Sequence, residues 1–396
     1  MEKEVRNILN QVRGALPGGR ANARTVAALT DNPGCTRRRV IDSAGIKVVE
    51  LANRAGHAPT SGRSPFAIAS GTMFEWRLKQ GGKYQPLFDA LRDKYDFRVD
   101  KPRLVDLNKG KGALGSDEWL STRANKTDEV LRAMARGESD APNLVDHPVL
   151  TFELAGIPMY LEPDALAFRI QNKLEVVEIK SYPVIDGQAD PAKVASTSGQ
   201  AAVYVLALRA TMERLGLDPD LIAWSVILVA ARNFSRQATA HRIPLRKKAD
   251  AISRVLKSVP ATIEILKKLP PSFTLGPDPS SPECPEQTAE ALRKLPSNYV
   301  PDCLSFCDMA QFCRSEAVAH DDVSRIGREA RDTLAGVASL SEVLQLARAK
   351  PGAAHPTLPD VTQALRTTAA AIDRARDTAP AACGVQSAGG RDRAGR

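Results

Sequence analysis

The sequence predicts an α/β protein, a central sheet covered by helices. Two observations predict it. From His147 onward, apolar residues recur with period two in "PVLTFELAG", "IPMYLEPDALAF" and "LEVVEIKSY", the pattern of strands. Between these and a further apolar run, "LIAWSVILVAAR", stands "SGQAAVYVLALRATMERLG", whose first half is apolar enough for a buried helix. Strands alternating with helices make such layered folds.

The elements follow in order. Residues 1–30 form a short helical lead and a Gly/Arg-rich connection. "NPGCTRRRVIDSAGI" reads as a turn carrying Cys35, then a basic helix start, and "GTMFEWRLKQGG" as a helix ended by its glycine pair. Residues 100–147 are polar, with a loop at "NKGKGALGSDE" and a helix at "TDEVLRAMARG"; they read as a helical insertion between core elements. "LAGIP" and "RIQNK" are turns, and "VIDGQADPAKVAS" is a loop. "ATAHRIPLR" reads as an edge strand, and "KKADAISRVLKSVPATIEILKKL" as two helical pieces split by Pro260. A Pro/Ser-rich linker at about residues 270–285 and a cysteine segment complete a core spanning 31–318. Residues 319–380 are a helical C-terminal extension broken at "KPGAAHPTLPD", and 381–396 a disordered tail. No internal repeat is evident.

With 396 residues, 43% of them hydrophobic and 26% charged, the chain can bury a sizeable core in two or three domains. No run of about 18 apolar residues occurs, so no membrane span is expected. The start is too polar for a secretory signal, and a cytoplasmic location is the expectation. The net charge of +9 suits a polyanionic partner, most commonly nucleic acid. "KGKG", Lys109–Gly112, lacks the strand–GxxxxGK[ST]–helix context of a phosphate loop, so no ATPase motor is expected.

Chemistry concentrates in "EIK". Glu178 and Lys180 sit two apart in a strand of Val and Ile and so share a face. Asp164 lies about eight residues before the turn near Asn172 and Glu178 six after it, opposite each other on a hairpin to within a residue or two. Two carboxylates and a lysine converging on one point suit a hard divalent cation, Mg²⁺ or Mn²⁺, and a phosphodiester. The alternative is an exposed Glu–Lys pair on an edge strand.

In sequence, Pro163-Asp164, Glu178-x-Lys180 and Gln200-x-x-x-Tyr204 resemble the PD-(D/E)XK nuclease superfamily and its RecB-like branch. The resemblance covers roughly residues 30–318. It implies a restriction-endonuclease-like mixed central sheet flanked by helices. It implies that Asp164, Glu178 and the Ile179 carbonyl bind metal and that Lys180 is the catalytic lysine. Gln200 and Tyr204, one helical turn apart, would help hold the active site and the DNA strand. Read without the resemblance, Gln200 is a helix N-terminal residue and Tyr204 a core aromatic. The family's upstream helix matches best at Glu75, a further metal ligand in place of the histidine found in many relatives; the alternative is a solvated helical Glu.

Six cysteines occur, three of them in "CLSFCDMAQFC". Cys35, Cys303, Cys307 and Cys313 offer four thiolates for zinc or an iron–sulfur cluster. One cysteine before the nuclease core and three after it resembles the iron–sulfur staple of RecB-like nucleases related to AddB and to the CRISPR-associated exonucleases, and this implies a 4Fe-4S cluster, with Zn²⁺ the alternative. The C-x3-C-x5-C spacing departs from the common C-x2-C-x5-C. Cys284 and Cys383 read as free thiols. Arg37, Arg38 and Arg39 are a candidate phosphate-binding patch, as are Arg246–Lys248. The expectation is a DNA exonuclease or end-processing nuclease in repair, recombination or defence against foreign DNA, with a helicase or another protein as candidate partner. The alternative is a non-catalytic DNA-binding or scaffold subunit that retains the fold.

Overall fold

The computed structural model describes residues 2–378 apart from 19–21, 24, 28–31, 58–64, 80–82, 96–102, 110–115, 155–156, 171–172, 234, 236, 259–261, 302, 335 and 350–357. The centres of the expected turns at "LAGIP" and "RIQNK", most of the "KGKG" loop, Cys383 and the tail from 381 lie outside the described residues.

The strands are β1 (Leu104–Asp106), β2 (Leu144–Asp146), β3 (Leu150–Leu154), β4 (Ile157–Leu161), β5 (Ala165–Ile170), β6 (Lys173–Val184), β7 (Ile222–Arg232) and β8 (Ala238–Pro244). Six form one mixed sheet in the order β1-β2-β5-β6-β7-β8, and β3 and β4 form a separate hairpin. β6 pairs antiparallel with β5 and parallel with β7. β7 is nearly continuous in Val, Ile, Leu and Ala because both its faces are covered, whereas the apolar run of β6 is interrupted by Glu175, Glu178 and Lys180.

The helices before the cysteine segment are α1 (Glu2–Arg13), α2 (Thr36–Ser43), α3 (Val48–Arg54), α4 (Pro65–Lys79), α5 (Gln85–Tyr95), α6 (Asp117–Arg136), α7 (Pro191–Arg214), α8 (Arg246–Ser258), α9 (Thr262–Leu266) and α10 (Cys284–Arg293). On one face of the sheet Leu166, Leu174, Val176 and Val226 pack with Leu131 and Met134 of α6, Ala201 to Met212 of α7 and Ile252 of α8. On the other face Ala165, Val177, Ile179 and Val229 pack with Phe74 and Leu78 of α4 and Leu87, Phe88 and Leu91 of α5. Each Val, Leu, Ile, Met or Phe among them is worth about 1.5–3 kcal/mol when fully buried.

Several segments differ from expectation. Residues 100–147 are not wholly a helical insertion: β1 and β2 bracket α6 and pair in parallel, so this segment supplies one edge of the sheet. Local polarity hid two three-residue strands. α7 starts at Pro191, inside the expected loop, because the Asp190 carboxylate accepts hydrogen bonds from the Ala192 and Lys193 amides. The Pro/Ser-rich stretch is built into the fold. Leu275 is fully buried, its amide donates to the Val12 carbonyl, and the Ala15 amide donates to Gly276. A Cβ at Gly276 would stand 2.3 Å from the Arg13 carbonyl oxygen, so only glycine allows this approach.

The chain divides into two compact units, Met1–Asn298 with Asp302–Phe312, and Tyr299–Pro301 with Cys313–Arg396. The N-terminal lead therefore belongs to the first unit. α11 (Cys303–Phe306) and α12 (Ala310–Ala319) follow α10 in the chain, then α13 (Arg328–Thr333), α14 (Leu340–Arg348) and α15 (Pro359–Thr378). The second unit has a small core around Val323, Leu334 and Val337. Among the described residues, no helix is long and apolar enough to cross a membrane.

Candidate metal centre

β6 places Val177 and Ile179 on the α4–α5 face, and Glu178 and Lys180 on the opposite one. Ala165 pairs with Val177, so Asp164, one residue earlier, comes level with Glu178. The Ile179 amide donates to Asp164 Oδ2 at 2.8 Å. Lys180 Nζ donates to Glu178 Oε1. Glu178 is 1% exposed, and its second oxygen, Oε2, is buried without a hydrogen-bond partner in the protein.

Charge crowding matches this geometry. Burial, then the neighbouring Asp164, pushes Glu178 up to about 8 against the pull of Lys180. Burial also raises Asp164, although Lys180 and the Ile179 amide oppose it. Glu75 on α4 adds its negative field to both acids. Lys180 is held above the ordinary lysine value: burial works to lower it, but Glu178 and Asp164 prevail.

Gln200 and Tyr204 lie one turn apart on α7. Gln200 Nε2 donates to Tyr204 Oη at 3.0 Å, and Tyr204 Oη donates to the Glu162 carbonyl at 3.0 Å. Tyr204 thus pins the backbone two residues before Asp164. Burial, then the field of Glu178, raises its hydroxyl well above the ordinary range, so it stays protonated and keeps this bond.

A second polar group flanks the first. Asp106 ends β1 and Asp146 ends β2, and the two are paired in register. His147 Nδ1 lies 3.1 Å from Asp106 Oδ1 and 3.0 Å from Asp146 Oδ2. Lys79 Nζ lies 2.6 Å from Glu75 Oε1, 2.8 Å from Asp146 Oδ1 and 3.3 Å from His147 Nε2. The Tyr84 hydroxyl also donates to Asp146. Among the described residues, Asp106, Asp146 and His147 hold ligand-type atoms all within 4.8 Å of one another. Asp146 is held below the usual carboxylate value: burial opposes this, but His147 and Lys79 outweigh it. Sequence reading missed this group. Its signal was the tripeptide Leu-Val-Asp, which occurs at 104–106 and again at 144–146, and the lysine four residues after Glu75.

Of the cysteine set, Cys35, Cys303 and Cys307 lie in the first unit and Cys313 in the second. Cys35 immediately precedes α2. The Cys307 amide donates to the Cys303 carbonyl at 2.8 Å, closing a tight turn. Asn32 Nδ2 lies 3.4 Å from Cys303 Sγ, and an Arg38 guanidinium nitrogen 3.4 Å from Cys307 Sγ. Burial raises the Cys307 thiol, Arg38 opposes this, and Cys35 is close enough to add to the rise. Cys284 is buried at the start of α10.

The expected arginine patch is not a surface. Arg37 is 1% exposed, hydrogen-bonds the Leu295 carbonyl and lies over the Phe312 ring. Arg38 pairs with Asp42 at 2.7 Å and contacts Cys307, and Arg39 donates to the Pro33 carbonyl at 2.6 Å. Guanidinium groups used in this way hold the cysteine-bearing turn and offer little to a DNA phosphate. Trp76 on α4, next to Glu75, is by contrast 62% exposed.

No family model and no curated protein matches the chain.

Proposed function

We propose that the protein is a metal-dependent DNA nuclease of the PD-(D/E)XK type, with a restriction-endonuclease-like core and RecB-like motifs. One observation carries the reading: the buried Glu178 Oε2 lacks a protein partner and stands beside Asp164 and Lys180. A buried carboxylate oxygen without a donor is costly, and a bound cation removes that cost. The donor set is all oxygen, which suits Mg²⁺ or Mn²⁺ over softer metals.

Asp164 and Glu178 would hold the ion, with the Ile179 carbonyl and Glu75 as further ligands. Bound there, the metal supplies Lewis acidity toward a phosphodiester oxygen and makes water a better nucleophile at neutral pH. Lys180 keeps its proton between Glu178 and Asp164 and offsets the negative charge that develops at phosphorus. Tyr204, fixed by Gln200, holds the Asp164 turn in place. Trp76 offers a base-stacking surface beside Glu75, which favours single-stranded or end-processing substrates.

Cys35, Cys303 and Cys307 of the first unit would hold metal as thiolates, a reading supported by the N–H donors on the Cys303 and Cys307 sulfurs. An iron–sulfur cluster is the reading we favour over zinc, and a reducing cytoplasm the setting. The test is digestion of 5′-labelled single-stranded and duplex DNA with Mn²⁺. Wild type should degrade DNA, and Glu178→Gln and Lys180→Met should not. Equal digestion by all three proteins, or none by folded wild type, refutes the proposal.

A further inference from the structure

Three atoms that would suit a metal ion surround an ammonium instead. Lys79 Nζ sits 2.6 Å from Glu75 Oε1, 2.8 Å from Asp146 Oδ1 and 3.3 Å from His147 Nε2. Two carboxylates and an imidazole are ordinary ligands of a divalent ion. The protein has filled that position with its own charge. The surroundings hold the arrangement firmly. Asp146 is fully buried, and Lys79 is 12% exposed. Nδ1 of His147 stands within hydrogen-bond reach of Asp106 and Asp146, and Asp146 raises the imidazole above its ordinary value, so the ring is anchored by these two carboxylates with Nε2 on the Lys79 side.

The backbone bears the same stamp. Tyr84 and His147 both adopt left-handed conformations, at φ 54° and 50°, and both reach Asp146. Such a backbone is costly for a bulky residue such as Tyr84 and persists only where the surrounding structure imposes it. Glu75 joins this network to the candidate metal centre, because its charge is felt by Asp164 and Glu178. The Lys79 charge reaches Asp164 as well.

We infer that Lys79 is a positioning residue that stands in for a second cation: it fixes Glu75 toward the metal centre and restricts that centre to one divalent ion. This rests on the proposed metal site. It also sets the chemistry the site can perform. A single ion assists attack and leaves Lys180 to neutralise charge, whereas a two-ion site would clamp both the attacking and the leaving oxygen.

The test is Mn²⁺ alone titrated calorimetrically into the full chain, as wild type, Lys79→Met and Lys79→Arg. Wild type and Lys79→Arg should bind one Mn²⁺. Lys79→Met should bind two, the second lost when Asp146→Asn is added, with the first weakened about 10-fold as Glu75 loses its partner. Two ions in wild type, or one ion at wild-type affinity in folded Lys79→Met, overturns the inference and leaves the nuclease reading intact. No Mn²⁺ binding by folded wild type overturns both. Should Lys79→Met fail to fold, Lys79→Gln, which removes the charge and keeps a polar side chain, takes its place with the same two outcomes.

Discussion

Replacing Glu178 with Gln should flatten the pH dependence of the first unit's stability. In the folded protein Glu178 holds its proton up to about pH 8, against an ordinary value of 4.5. Between these limits the native state keeps a proton that the unfolded state has released, so stability falls as pH rises. Below pH 4.5 both states are protonated, and above about pH 8 both are ionised, so the slope vanishes at each end. One proton is worth about 1.4 kcal/mol per pH unit, so from pH 5 to 7 the loss from this group is about 3 kcal/mol. Gln does not titrate and contributes no slope. All three tryptophans, Trp76, Trp119 and Trp224, lie in the first unit, so tryptophan fluorescence during urea unfolding reports on that unit alone. In EDTA, wild type should lose about 3 kcal/mol more than Glu178→Gln between pH 5 and 7. Saturating Mn²⁺ should abolish the difference in slope, because the ion favours the ionised carboxylate. Parallel pH profiles in EDTA would show that Glu178 is not a strained buried acid.

Other substitutions probe separate parts. Lys180→Met should lower turnover roughly 10²–10³-fold with little change in Mn²⁺ affinity, measured by single-turnover digestion and calorimetry. Tyr84→Phe removes a donor from buried Asp146 and should cost about 1–3 kcal/mol of unfolding free energy, read by the same tryptophan signal. Trp76→Ala should weaken single-strand binding in Ca²⁺ by about 1–3 kcal/mol and leave duplex binding nearly unchanged, read by fluorescence anisotropy of labelled oligonucleotides. Cys303→Ser should bleach the absorbance near 400 nm that an iron–sulfur cluster confers, and retained colour would remove that cysteine from the ligand set.

The strand–helix–strand run from Leu150 to Arg232 was legible because its periodicity is strong and long. Period two marks β6, and Gln200 and Tyr204 fall one turn apart on a helix with an apolar face. The Asp164–Glu178 juxtaposition followed from counting residues on either side of a turn, and the register places them level. What escaped had short or misleading local patterns. β1 and β2 span three residues each, too short for periodicity, and their pairing depends on partners forty residues apart. The network of Lys79, Asp106, Asp146 and His147 was invisible for the same reason, since its members come from α4 and the ends of two such strands. The arginine triplet misled in the opposite sense. Three adjacent charges suggest a solvated face, yet the turn around Cys35 draws Arg37 and Arg39 inward, where carbonyl oxygens accept their hydrogen bonds. The Pro/Ser-rich stretch looked like a linker by composition, although Phe273 and Leu275 are buried and Leu275 and Gly276 hydrogen-bond the chain at the end of α1.

The most direct test of the cation site is anomalous diffraction from crystals of the protein grown in Mn²⁺. One peak should lie within about 2.0–2.3 Å of carboxylate oxygens from both Asp164 and Glu178, a bonding distance for such an ion. Density at Asp106, Asp146 and His147 with none between Asp164 and Glu178 would contradict it.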